Sequence, residues 1–72
     1  MNVKIVHGDD WEALYVNDLL YRESHKIEPS DICRAILNFD AQRIFSYDEI
    51  WANPIHEDEG YPVHYEDLKY GD

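Results

Sequence analysis

Two residues constrain this chain more than any others. Asn17-Asp18 stands between two apolar stretches, residues 11–16 and 19–25. Both side chains tolerate left-handed backbone, and a two-residue loop of that kind between β-prone runs predicts a tight antiparallel hairpin. Residues 2–7 (Asn2-Val3-Lys4-Ile5-Val6-His7) alternate loosely and are rich in β-branched side chains, so they read as a strand ahead of the hairpin. Gly8-Asp9-Asp10 between them is turn chemistry. On this reading Leu14, Val16 and Leu20 lie on the buried face of the sheet, and Trp11 and Tyr15 on the other.

A single helix follows. Pro29 suits the first helical position, and Ser30 and Asp31 fill a first turn where negative charge matches the macrodipole. Ile27 and Ile32 have hydrophobic-staple spacing. Ile32, Cys33, Ile36 and Leu37 make an apolar stripe wide enough to cover three strands, and Asn38 or Asp40 ends the helix. Residues 43–47 (Arg43-Ile44-Phe45-Ser46-Tyr47) read as a fourth strand, with 48–51 continuing it or forming a helical turn. From Ala52 the pattern weakens: Pro54, Gly60 and Pro62 punctuate a less regular acidic and aromatic segment, 52–72, that closes on one terminal turn at 65–70. The expectation is a single α+β domain, 1–72, in β-β-β-α-β order. An antiparallel sheet of three to four strands carries the helix packed on one face.

At 72 residues such a domain has a small core. A compact chain of this length has a radius of gyration of roughly 11 Å and measures about 28 Å across. It buries only about 60% of its unfolded surface. Cys33 is the one cysteine, so no internal disulfide forms, whereas secreted domains of this size are normally stapled. With neither a leader pattern nor an apolar run of membrane-spanning length, the expected setting is a soluble protein of a reducing cytoplasm.

Charge excludes more than composition does. Sixteen Asp and Glu face six Lys and Arg, a formal net charge of −10. Direct nucleic-acid binding through phosphates would be repulsive, and so would an anionic membrane surface. The charge is also uneven. Residues 48–72 hold eight acids against Lys69, a net −7, and residues 1–47 hold eight acids against five bases, a net −3.

The run Gly8-Asp9-Asp10-Trp11-Glu12-Ala13-Leu14-Tyr15-Val16, followed by a turn and Glu23-Ser24-His25, resembles small uncharacterised bacterial and phage proteins with a similar amino-terminal hairpin. The resemblance covers the first third of the chain and implies no activity and no functional residues.

Three histidines stand beside acids, His7 before Asp9-Asp10, His56 before Glu57-Asp58-Glu59, and His64 before Glu66-Asp67; His25 is the fourth. Imidazole with carboxylate suits divalent metals, but no metal-ligand spacing is present, so no metal and no cofactor is expected. The adjacent acids Asp9-Asp10, Asp48-Glu49, Glu57-Asp58-Glu59 and Glu66-Asp67 read as solvated pairs. General acid catalysis needs one carboxyl desolvated, and a chain this short struggles to enclose a pocket. Cys33 on the apolar stripe reads as a buried structural thiol. The chain is therefore expected not to be an enzyme.

The aromatics of the acidic third are more informative. Trp51, Tyr61 and Tyr65, with Glu57, Asp58, Glu59, Glu66 and Asp67, make an expected partner-binding surface: aromatic anchors ringed by steering carboxylates. Asp9, Asp10 and Trp11 form a second candidate. Some of these aromatics also have to pin the tail to the sheet. The leading functional expectation is an acidic interaction protein that binds a basic surface of a larger protein, such as a nucleic-acid-binding protein, and inhibits or modulates it. Its specific form is a phage-type inhibitor of a host nuclease or defence complex by partial nucleic-acid mimicry. The alternatives are a small metal-binding or carboxylate-based hydrolase, and an accessory or oligomerisation domain without a basic partner.

Overall fold

Left-handed backbone closes the hairpin where the sequence places it: Asn17 has φ 52° and Asp18 φ 66°. The computed structural model describes residues 1–8, 10–38, 46–51 and 60–69. Within them the order is β1 (Asn2–His7), β2 (Glu12–Val16), β3 (Leu19–Ser24), α1 (Pro29–Asn38), β4 (Ser46–Trp51) and one 3-10 turn (Tyr65–Asp67). The fold is α+β in the expected β-β-β-α-β order. The Asn17 amide donates to Asn2 O at 2.8 Å and its Oδ1 accepts from the Asn2 amide at 2.9 Å, so the hairpin turn is tied to the start of β1. Lys4 pairs with Asp18 across the same end.

The sheet runs β3-β2-β1-β4. Its first three strands are antiparallel, but β4 pairs parallel to β1, which makes the sheet mixed where an antiparallel one was expected. The cause is the helix. A parallel neighbour needs a crossover connection, usually helical. The segment holding α1 provides one, from β3 over two strands to the far side of β1. The fourth strand begins at Ser46, and residues 48–51 continue it as strand, not as a helical turn. Arg43, Ile44 and Phe45 lie outside the described residues.

Each sheet face carries its own core. Beneath α1, Val3, Ile5, Leu14 and Val16 pack with Ile27 and Ala35; on the opposite face Val6, Ala13 and Tyr15 pack with Tyr61. Trp11 and Tyr15 thus lie opposite Leu14 and Val16, as strand alternation requires. Leu20 does not join Leu14. The two-residue turn pairs Val16 with Leu19 and Tyr15 with Leu20, so Leu20 shares the face of Tyr15; the register then shifts between Tyr15 and Leu14, which faces Arg22. Tyr21 is the extra residue of this bulge and packs on the helix side, while Leu20 packs on the other.

The helix start follows its sequence signals. The Glu28 amide donates to Asp31 Oδ2 at 2.8 Å, the back half of a capping box, and Ile27 and Ile32 join the same core. Asp31 is buried but satisfied, since Arg22 Nε also donates to its Oδ1 at 3.1 Å. The wide apolar stripe is corrected. Asp31 and Ala35 are the buried helix residues, Ile32 and Ile36 are half-buried, and Cys33 and Leu37 are exposed. Small Ala35 lets the helix axis approach the sheet along the 31–35 line, which turns Cys33 and Leu37 outward. Cys33 is therefore a surface thiol.

Residues 60–69 dock across the second face and along β3. Tyr15 Oη donates to Pro62 O and Tyr61 Oη to Trp11 O, both at 2.7 Å. The Leu20 amide donates to Val63 O at 2.7 Å, and Leu19 bridges His64. Gly60 has φ +85°, a backbone conformation that favours glycine, at the entry to this segment. Among the described residues no helix is long and apolar enough to cross a membrane.

Candidate interaction surface

The end of the sheet where β1 leaves for β2 brings together side chains that lie far apart in sequence. His7 ends β1; its register partners are Glu12 on β2 and Trp51 on β4. Strand alternation puts all three, with Glu49 and Tyr47, on the helix side of the sheet. His7 Nδ1 meets Glu12 Oε2 at 2.5 Å, and His7 Nε2 meets Glu49 Oε1 at 3.1 Å. Trp51 lies flat on the imidazole, with ring centroids 3.7 Å apart and planes 7° from parallel. The His7 side chain is only 11% exposed, whereas Trp51 is 75% exposed and offers its outer face to solvent.

The electrostatics of this group are set by its hydrogen bonds. Burial alone would raise the Glu12 carboxyl, but the Ile27 amide, which donates to Glu12 Oε1 at 2.8 Å, and then His7 and Lys26, outweigh it and hold the carboxyl below its ordinary value. Partial burial, and then the Glu49 carboxylate, push the Tyr47 hydroxyl above the ordinary tyrosine value. Each nitrogen of His7 is engaged by a carboxylate, Nδ1 by Glu12 and Nε2 by Glu49. Among the described residues no three His, Cys, Asp or Glu are grouped to hold a metal ion.

The sequence-assigned contact residues divide. Trp51 is exposed, and so are Glu66 and Asp67 on the 3-10 turn. Tyr61 is 6% exposed, and its hydroxyl is bound to Trp11 O, so it pins the tail and offers no contact area. Tyr65 is half-buried, edge-on to Tyr15 at 5.4 Å, with Lys4 Nζ over its ring at 4.3 Å. Glu57, Asp58, Glu59 and Asp9 lie outside the described residues. Trp51 and the 65–67 turn do not form one surface: the first stands on the helix side beside His7, the second on the opposite side near the 17–18 hairpin. The second candidate turn stands at the Trp51 end of the sheet. There Asp10 is exposed, while Trp11 is half-buried, donates to Glu23 Oε1 at 2.8 Å and stands edge-on to His25.

Sequence reasoning missed His7, Glu12 and Glu49 as a unit. It set His7 beside Asp9-Asp10, its neighbours in the chain. Its carboxylate partners come from register, and Glu49 is 42 positions away. No family model matches this chain, no curated protein matches it, and no solved structure matches it.

Proposed function

We propose that this chain is an acidic, non-enzymatic interaction protein that docks on a basic surface of a larger protein and inhibits or modulates it. The observation that carries the reading is Trp51, a large aromatic exposed beside the exposed Glu49 on the helix side of β4, with Asp48 exposed on the other side of the same strand. An aromatic anchor within a carboxylate rim is the composition of a hot spot with electrostatic steering. The net charge of −10 gives that steering its sign, and the run Glu57-Asp58-Glu59 adds to it by sequence alone.

The specific form of the proposal is a phage-type inhibitor of a host nuclease or defence complex that partly mimics nucleic acid. The longest axis is 37 Å. Duplex DNA of that length carries roughly 22 phosphates at one per ~1.7 Å. Sixteen acids distributed over all sides reproduce only part of that charge, so aromatic contacts must supply the rest of the affinity.

The test is affinity capture from the cell of origin at low and high salt, followed by competition with duplex DNA and an activity assay of the captured protein. The proposal predicts a basic partner that is released by salt and by DNA and is inhibited at stoichiometric ratio. A partner without a basic surface, or one whose retention is indifferent to salt, overturns it.

A further inference from the structure

We propose that the outer edge of β4 receives an extended, arginine-bearing segment of the partner as a fifth strand, with Trp51 and Glu49 holding its arginine. The inference rests on the interaction reading above and names the chemistry of the partner. The two sheet edges differ. The β3 edge is covered by residues 63–65 through the Leu20–Val63 hydrogen bond and the Leu19–His64 bridge. The β4 edge is paired with β1 on its inner side and with no described residue on its outer side. Proteins commonly blunt an open edge with charged side chains, proline or a bulge. The strand Ser46–Trp51 has no proline and a continuous register with β1, and its charges, Asp48 and Glu49, are both negative, so they guard the edge against another acidic strand and not against a basic one. An edge left in this state is a template for strand addition.

The side chains select the occupant. Tyr47, Glu49 and Trp51 follow one another along one face of β4, at strand spacing of about 7 Å. The inner face of Trp51 is held flat by His7, so its outer face is a fixed platform. Glu49 is anchored through Oε1 by the same histidine, which orients its carboxylate beside that platform. A planar cation that stacks on an aromatic ring while bonding a carboxylate is a guanidinium, and an ammonium satisfies only the charge. A second copy of this chain is disfavoured by the same residues. Antiparallel pairing of β4 with itself about its centre would set Asp48 opposite Glu49 twice, and like charges directly opposite destabilise a sheet.

The experiment uses the full chain and a blocked peptide of alternating arginine and threonine, about six residues long to match a typical strand. Its counterparts carry lysine for arginine, or N-methyl groups on one or the other alternate set of backbone amides. Binding is read by Trp fluorescence and by amide shifts of residues 46–51. The arginine peptide should bind, and the lysine peptide should bind roughly threefold more weakly. One N-methylated peptide should lose binding while the other keeps it. Trp51→Ala should weaken binding by about tenfold or more, as loss of a hot-spot aromatic does. Glu49→Gln should weaken it less, with both variants checked for an unchanged fold by far-UV circular dichroism. If both N-methylated peptides bind as the parent does, or if Trp51→Ala is neutral, strand addition at β4 is overturned while a salt-dependent basic partner leaves the interaction reading standing. Self-association of the chain through β4 overturns it equally. If neither the peptides nor any basic partner binds, both fall.

Discussion

Glu12→Ala removes one carboxylate that serves two elements. Glu12 Oε1 accepts from the Ile27 amide at 2.8 Å and Oε2 meets His7 Nδ1 at 2.5 Å, so the side chain ties the entry of α1 to the end of β1. Ile27 is buried, and its amide would be left without its acceptor. A buried donor stripped of its partner costs about 1–3 kcal/mol, and the lost contact with His7 places the change in the upper half of that range. For a domain of this size each kcal/mol lowers the melting temperature by about 4–8 °C, so a fall on the order of 10 °C is expected. Glu12→Gln keeps a carbonyl for the Ile27 amide and should lose less. The assay is thermal unfolding followed by circular dichroism from neutral to acid pH. The folded Glu12 carboxyl titrates below its unfolded value. Its contribution is therefore complete above the ordinary carboxylate range and is lost as pH falls through the folded value. The parent should lose that stability on acidification, and Glu12→Gln should lack that component of the acid limb. A Glu12→Ala loss under about 0.5 kcal/mol, the range of ordinary surface changes, would refute the reasoning.

Three further outcomes follow from the packing. Cys33 is exposed, so it should react with a thiol reagent in the folded protein nearly as fast as in denaturant, and Cys33→Ser should change stability by less than about 0.5 kcal/mol. Ala35 is fully buried against the sheet, so Ala35→Leu should overpack it by about 1–3 kcal/mol in chemical denaturation, with Ile36→Ala costing less than a core isoleucine normally does. Tyr61→Phe should cost about 1 kcal/mol through the lost hydrogen bond to Trp11 O, and faster amide exchange in residues 61–65 should accompany it.

The parts of the fold that were legible in sequence are those fixed by local chemistry. Asn17-Asp18 marks its turn because few residues accept left-handed backbone, and Pro29, Asp31 and the Ile27–Ile32 pair mark the helix start because each meets a need of the first turn. What was not legible depends on register and rotation. The parallel placement of β4 is decided by where the crossover lands. Arg22, not Tyr21, stands opposite Leu14 because one bulge shifts the pairing beyond Tyr15. Cys33 and Leu37 point outward because the helix settles on Ala35, and hydrophobic periodicity does not report which residue touches the sheet most closely. The surface itself was half visible. Trp51 stood out as an aromatic among acids, but its platform is built from His7 and Glu49, which no spacing rule joins, and Tyr61 gave the same compositional signal while serving the core.

Salt-dependent association kinetics of the captured partner decide most directly whether acids steer and Trp51 anchors. Asp10→Asn with Asp48→Asn should lower the on-rate and flatten its salt dependence while leaving the off-rate nearly unchanged. Trp51→Ala should raise the off-rate by about tenfold or more with little change in the salt slope. If both variants associate and dissociate as the parent does, the exposed carboxylates and Trp51 are not the binding surface.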